Sequence, residues 1–425
     1  MTEQPINDPA HRPSTAPAGS PARRPTNLAF FLPQFHPIEQ NDMWWEPGFT
    51  EWHNVARATP TYEGQRIGRL PGALGFYDLR VPETRMAQIA LAKAAGIDGF
   101  MYYHYWFHGH RLLHEPLDRM LAAPEEDFPF CLCWANETWT RRWDGMDHEV
   151  LMHQKYSEAD DRAHIDWLRW VFTDRRYLRL HGRPVLFVYR PASLPDVAAT
   201  TRLWRQVCRE HGEPEPYLIR FDTYAEVDEP GPTGFDAAAE FVPHGAIAAM
   251  EAAGTPVQVQ DNGDMLVDYD QLAEAMLTRP AAPWTRYRCV TPNWDNSPRR
   301  VNGGATVTVG STPERFARWA RRAQDAAVAD GDEFVLFNAW NEWAEGANLE
   351  PDAVDGTAYL DALAQALAPR SALPLATDPL PPRAASTLDG VGTGELRRRL
   401  EVAEATLRRR PVRWVLGIIR RLRGS

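Results

Sequence analysis

Between residues 28 and 369 the chain alternates short apolar runs, rich in aromatic and β-branched residues, with longer Ala-rich stretches. No other feature narrows the fold as much. The runs Leu28–Leu32, Gly99–Tyr103, Phe130–Trp134, Val185–Tyr189, Tyr217–Arg220, Ala237–Phe241, Cys289–Pro292 and Phe334–Trp340 have the length and composition of buried strands. Helical stretches at Glu83–Ala95, Asp160–Phe172, Thr200–His211, Pro313–Ala329 and Thr357–Ala368 lie between or after them. Eight strands with intervening helices predict an α/β fold, a (β/α)8 TIM barrel with long βα loops. A doubly wound sheet is the alternative. It usually carries a Gly-rich βα turn, and neither GxGxxG nor GxxxxGK[ST] occurs here.

The two ends have other compositions. Residues 1–27 are Pro-rich and almost without large apolar residues, which predicts a disordered leader. They hold no apolar run of the secretory type, so the expected location is the cytosol. Residues 370–393 read as a Pro-rich linker and residues 394–425 as a short basic helical tail. Residues 397–425 carry ten Arg and two Glu, a net of +8, whereas the whole chain is at −11, so the rest stands at −19. That acidic body argues against nucleic acid as a partner. In the tail, Trp414, Val415, Ile418, Ile419 and Leu422 share one helical face, with Arg413, Arg420, Arg421 and Arg423 around them. The pattern predicts peripheral contact with an anionic membrane, at the inner face. A solvated tail, or one docked on the acidic body, is the plainer alternative. The run Val412–Ile419 is too short to span a bilayer. Four cysteines without a CxxC pair predict neither a disulfide framework nor a zinc ribbon. The sequence calls for no metal and no cofactor.

Polar and aromatic residues crowd just after the strands. Gln34, Phe35 and His36 follow the first, and His104, Tyr105 and Trp106 the second. Asn136 and Glu137 follow the third, Arg190 the fourth, Asn293, Trp294 and Asp295 the seventh, and Asn341 and Glu342 the eighth. In a barrel all these positions open on one face, where active sites sit. About half of these residues are expected to be structural caps rather than ligands.

Two of the segments are alike. Cys131-Leu132-Cys133-Trp134-Ala135-Asn136-Glu137-Thr138-Trp139 and Leu336-Phe337-Asn338-Ala339-Trp340-Asn341-Glu342-Trp343 each run from an apolar strand through Trp to Asn-Glu and a further Trp. A carboxylate buried among indoles loses its preference for the charged form, as a general acid at neutral pH requires. Flat indole faces also suit the apolar faces of sugar rings. Fifteen of the sixteen Trp lie between residues 44 and 343, so carbohydrate is the natural ligand class. Glu342 and Glu345 are three apart, which on a helical turn puts Cβ atoms about 5–6 Å from each other. A close carboxyl pair suits retention at the anomeric carbon. The plain alternative makes Glu345 a first-turn carboxylate of a helix. Glu137 is either the acid/base or a residue gripping a hydroxyl.

The segments FFLPQFHPIEQNDMWWEPGFTEWHNV, RLPGALGFYDLR, GIDGFMYYHYWFHGHRLLHEPLD, DFPFCLCWANETWTRRWDG, RPVLFVYRP, TPNWDNSPRR, GSTPERF and FNAWNEWAEGANLEPD closely resemble the WbsX family over residues 28–369. That family is similar to glycoside hydrolase family 99 and is associated with lipopolysaccharide or O-antigen synthesis. The resemblance implies a barrel acting on glycans, with Glu342 as base on a sugar 2-hydroxyl and Glu345 as acid/base at the glycosidic oxygen. It implies a 1,2-anhydro sugar intermediate, and Glu137 as a substrate-holding carboxylate. Trp52 and His53 resemble the aromatic-His element after the first strand. Asn136, Trp134, His36, His104, Tyr189, Trp294, Asn341 and Trp343 complete the candidate substrate-binding set. Residues 34–53 and 134–145 follow WbsX rather than typical family 99 hydrolases.

Three functions are compatible with these residues. The first is a retaining glycan hydrolase or transglycosylase, acting on a glycan or lipid-linked oligosaccharide. The second is a glycosyltransferase with a nucleotide-sugar or lipid-linked donor. Asp268-Tyr269-Asp270 has the DxD form of metal-dependent transferases, yet it stands before a helical run where an N-cap is expected. The third is a glycan-binding barrel without catalysis, against which the intact Glu pair argues. A variant of the first reading pairs Glu137, rather than Glu345, with Glu342.

Overall fold

The computed structural model describes residues 24–65, 69–141, 146–223, 228–300 and 302–368. The leader, the linker and the basic tail read from the sequence lie essentially outside these residues. The centre is a closed barrel of parallel strands: β1 (Thr26–Phe31), β2 (Gly99–Phe107), β3 (Phe130–Trp134), β4 (Arg183–Val188), β5 (Tyr217–Asp222), β6 (Ala237–Glu240), β7 (Arg286–Val290) and β8 (Phe334–Phe337). Each strand pairs with the next, and β8 returns to β1 in the register Thr26↔Phe334 to Ala29↔Phe337. This is the (β/α)8 architecture read from the alternation, and all eight strands fall on the expected runs.

Helices cover the outside: α1 (Pro82–Ala95), α2 (Glu115–Leu121), α3 (Glu158–Phe172), α4 (Val197–Glu210), α5 (His244–Ala252), α6 (Tyr269–Leu277), α7 (Pro313–Asp330) and α8 (Ala358–Leu367). Their starts follow ordinary capping chemistry. Ser157, Asp196 and Thr312 each accept a backbone N–H from the first turn of α3, α4 and α7. Asp268 does the same for α6, accepting from Asp270 N at 3.0 Å and Gln271 N at 3.1 Å. The DxD segment is therefore a helix cap, as its position before an apolar-periodic run predicts. Among the described residues no helix is long and apolar enough to cross a membrane.

The barrel interior is filled. Phe30 on β1 meets Phe221 on β5, on the opposite side, at 5.3 Å between ring centroids, and Phe241 just after β6 at 5.8 Å. Tyr103 and Phe187 join this layer through Phe30 and Phe221. The packed layer fills the barrel below the strand C-termini, and two of its rings, Tyr103 and Phe241, line the cavity at that end.

Candidate active site

A cavity of about 300 Å³ opens among the segments that follow the strands. Its aromatic lining runs ring to ring. Trp44 meets Trp139 at 5.9 Å, Trp139 meets Tyr105 at 5.0 Å, and Tyr103 lies between Tyr105 and Tyr189, 6.4 Å from each. Tyr189 then meets Phe241 at 5.0 Å, Phe241 stacks on His244, and His244 meets Trp294 edge-on at 5.7 Å. Glu137, Glu342 and Glu345 open into the same space, with Arg190, Arg299 and Arg300.

Both Asn-Glu segments are built on one local device. Asn341, fully buried, accepts Leu32 N on Oδ1 at 2.7 Å and donates Nδ2 to Leu32 O at 3.0 Å. Asn136, also fully buried, accepts Arg190 N at 2.7 Å and donates to Arg190 O at 2.7 Å. Each Asn therefore clamps the backbone just past the neighbouring strand, β1 in one case and β4 in the other. The following residue, Glu342 or Glu137, is left aimed into the cavity. Without the Asn341 amide, the two buried backbone groups of Leu32 would lose their partner, at about 1–3 kcal/mol each.

After Glu342 the chain makes a 3-10 turn, Trp343–Glu345, and reverses at Gly346 with φ +59°. Asp295 N donates to Glu345 O at 2.6 Å, and a Cβ on residue 346 would stand 3.1 Å from Asp295 Cβ. Glycine is thus required by close approach as well as by dihedral angle. The next α-helix begins only at Ala358, so Glu345 stands in the first turn of a single 3-10 turn and not at the start of an α-helix.

Arg299 ties the carboxylates together. It sits on a short turn, Ser297–Arg299, that a backbone ladder from Trp294 and Asn296 to Thr306 and Thr308 holds in place. Its Nη2 donates to Glu342 Oε2 at 3.0 Å, its Nη1 to Glu345 Oε1 at 2.6 Å and its Nε to Glu51 Oε1 at 2.9 Å. Burial raises the pKa of both Glu342 and Glu345. Arg299 opposes that rise, while the nearby carboxylates add to it. Arg299 itself is pushed well above its usual value by the same carboxylates, against its burial. Tyr103 and Tyr105 line the same cavity, and burial, with the nearby Glu342 carboxylate, raises the pKa of both. Glu137 is paired differently: it accepts Arg190 Nε at 2.6 Å and is about a third exposed, with a side-chain accessibility of 36%.

Of the candidates read from the sequence, Glu342, Glu345, Glu137, Tyr189 and Trp294 line the cavity. The indole N–H of Trp294 is buried, with no hydrogen-bond partner among the described residues. Other candidates stand outside the lining. Asn136 and Asn341 are the clamps. Trp134 is fully buried against His164 and Trp204. Trp52 donates its indole N–H to Tyr77 O at 2.8 Å and packs on Trp343. Trp343 donates to Glu350 at 2.7 Å. His104 lies 3.1 Å from His164 and stacks on Trp167, and burial holds its pKa well below the usual value. His36, pushed down to about 4 by burial, lines a separate cavity of about 220 Å³ beside Arg111 and His114. His53 stacks on Phe49.

The sequence reading did not single out Arg299, Glu51, Tyr103 or His244. Glu350 is a further carboxylate of the NEWAEGANLEPD segment. It accepts from Tyr77, Gln88 and Trp343, all neutral donors, and burial raises its pKa to about 7. It anchors the loop from behind and does not line the cavity.

A closed parallel barrel whose strand ends carry a buried carboxylate pair in an aromatic cavity has the architecture of a barrel enzyme. The chain belongs to the family described as Glycosyltransferase WbsX, whose model matches residues 27–363. Protein WxcX of Xanthomonas campestris pv. campestris is 44% identical over 359 residues, covering 84% of this chain and 50% of that protein. The chain thus spans about half the length of the curated relatives it matches. Among solved structures, a glycoside hydrolase-like protein aligns with TM-score 0.53 at 15% identity, over 84% of this chain and 97% of that one. The GH99 endo-alpha-mannosidase from Bacteroides thetaiotaomicron aligns with TM-score 0.50 at 13% identity, over 80% and 96%. These two likenesses concern the fold. Family and fold together support a carbohydrate-active enzyme.

Proposed function

We propose that the chain cleaves or transfers glycosyl groups with retention, using Glu342 and Glu345, in the metabolism of a surface polysaccharide of the lipopolysaccharide or O-antigen kind. One observation carries the reading: the buried Glu342 and the partly buried Glu345 share one guanidinium at the edge of an aromatic-lined cavity. Groups bound to adjacent nitrogens of one arginine are close. Retaining enzymes hold their carboxyl groups about 5–5.5 Å apart, whereas inverting ones leave room for a water between them. A general acid must be protonated at working pH, and burial beside another carboxylate favours that state.

In the first step Glu345 gives its proton to the glycosidic oxygen as the bond to C1 breaks. Glu342 takes the proton of the 2-hydroxyl, whose oxygen closes on C1. In the second step an acceptor hydroxyl attacks C1 and gives its proton to Glu345. Glu342 returns its proton to O2. Two displacements at C1 leave its configuration as it began. In this reading Glu137, held by Arg190 and partly exposed, grips a hydroxyl of the substrate. The family's description favours an acceptor other than water. Incubation with candidate donors, with water as competing acceptor, tests this: a glycosylated acceptor supports transfer, and free sugar alone supports hydrolysis. Neither product from any donor would remove the reading.

The assignment of Glu345 over Glu137 has its own test. Glu345→Gln is expected to abolish turnover, while Glu137→Gln raises KM and leaves a measurable kcat. Activity in Glu345→Gln with none in Glu137→Gln would transfer the acid/base role to Glu137.

Residues 394–425 lie outside the described residues, and their role is proposed from sequence. The +8 charge of residues 397–425 and their apolar face support recruitment to an anionic membrane, where a lipid-linked oligosaccharide would be presented. Deleting them is expected to move the protein from the membrane fraction to the soluble one, with activity on a soluble substrate retained. Equal partitioning of both forms would remove the membrane role.

A further inference from the structure

Glu51 is a charged group that the mechanism above does not use. It is 1% exposed and absent from the cavity lining, so it does not touch substrate. Its Oε1 accepts Arg299 Nε at 2.9 Å and Asn54 Nδ2 at 3.0 Å. Arg299 therefore gives a different N–H group to each of three carboxylates: Nε to Glu51, Nη1 to Glu345 and Nη2 to Glu342. A guanidinium is a rigid planar fork. Fixing its Nε fixes the directions of the other two nitrogens, so Glu51 determines where the fork points. A lysine ammonium has no such plane.

The charges at this cluster matter as well. Three ionised carboxylates around one guanidinium leave two uncompensated negative charges, and a buried cluster sheds such charge by taking up protons. Tyr103 and Tyr105, which face Glu342 from β2, add no charge. Arg300, beside Arg299 in the same loop, acts on Glu345 more weakly than Arg299 or Glu51 does.

We propose that Glu51 is a positioning residue which, acting through Arg299, aims the guanidinium at both Glu342 and Glu345 and makes that pair hold one proton between them near neutral pH. The proposal rests on the reading of the pair as acid and base, and it supplies what that reading needs, one protonated and one ionised group. Glu51→Gln keeps an oxygen for Arg299 and Asn54 but removes the charge. The guanidinium then faces two carboxylates, and the pair has little reason to keep its proton. Glu51→Asp keeps the charge.

Infrared difference spectroscopy on the full chain reads the proton directly and needs no substrate. Wild type at pH 7 is expected to show a carboxylic-acid carbonyl band that the double variant Glu342→Gln, Glu345→Gln lacks. Glu51→Gln is expected to lack it at pH 7 and to regain it about one pH unit or more lower. Glu51→Asp is expected to keep it. The band of Glu350 belongs to a separate cluster and should not move with Glu51. A band in Glu51→Gln that titrates as in wild type overturns the proposal, and so does its absence from wild type at pH 7. Should Glu51→Gln fail to fold, as checked by circular dichroism, Glu51→Asp decides: with the charge retained, loss of the band overturns the proposal. A protein that shows the shared proton but turns over no glycan would contradict the proposed function and leave this inference standing.

Discussion

Glu342→Gln and Glu345→Gln are each expected to leave a folded barrel whose turnover is at least ~10²-fold slower than wild type, the usual contribution of a positioned acid or base. Glutamine fits the space of glutamate and still offers an oxygen to the Arg299 N–H groups, so the clamp geometry survives. What is lost is the group that gives or takes a proton. Burial disfavours the charge at both positions, so removing it is expected to leave the melting temperature unchanged or higher. The loss should fall on kcat. Paired melting curves and single-turnover kinetics check this, and wild-type rates in either variant would sink the role assigned to that residue.

Arg299→Met is expected to cost about 3–5 kcal/mol of stability at neutral pH, because removing one partner of a buried ion pair strands the other. Here three partners are stranded: the Glu51 side chain is 0% exposed, Glu342 6% and Glu345 19%. The pH dependence has a definite sign. The pKa values of Glu342 and Glu345 are already raised in the folded protein, and loss of the cation raises them further. A carboxyl whose folded pKa exceeds its unfolded one binds a proton more readily when folded. Its contribution to stability is therefore fully present below the unfolded pKa and is lost as pH rises towards the folded one. The deficit of Arg299→Met relative to wild type is expected to be smallest near pH 5 and to grow through neutrality. Denaturant melts across that range measure it. A deficit that is constant with pH would show that Arg299 matters by packing rather than by charge.

The fold was readable because the barrel strands carry continuous apolar runs, and a parallel barrel buried on both faces requires such runs. Even Ala237–Glu240, a sequence with little intrinsic strand preference, was placed by its position in the alternation. The carboxylate pair was readable because Asn-Glu-Trp after an apolar strand is a local pattern. Arg299 was not, since an arginine in a polar loop reads as solvated. Its partners are 43, 46 and 248 residues away in sequence. Glu51 was hidden for the same reason, although its neighbours Trp52 and His53 drew attention. Those neighbours, with His36, His104, Trp134 and Trp343, look like ligands in a sequence. In the structure they stand outside the lining of the active-site cavity, and Trp52, His104, Trp134 and Trp343 are packed away beneath the loops. Aromatic and imidazole side chains serve both purposes, and only burial and partners tell the two apart.

In the proposed function Glu342 and Glu345 act as one acid–base pair through two displacements at the same carbon. The most direct test is the anomeric configuration of the first-formed product, followed by proton NMR from the first minutes of reaction, before mutarotation, with a donor that the full chain accepts. The account predicts the configuration of the donor linkage, lost in Glu342→Gln and Glu345→Gln. The opposite configuration in the first product would mean a single displacement and would contradict it.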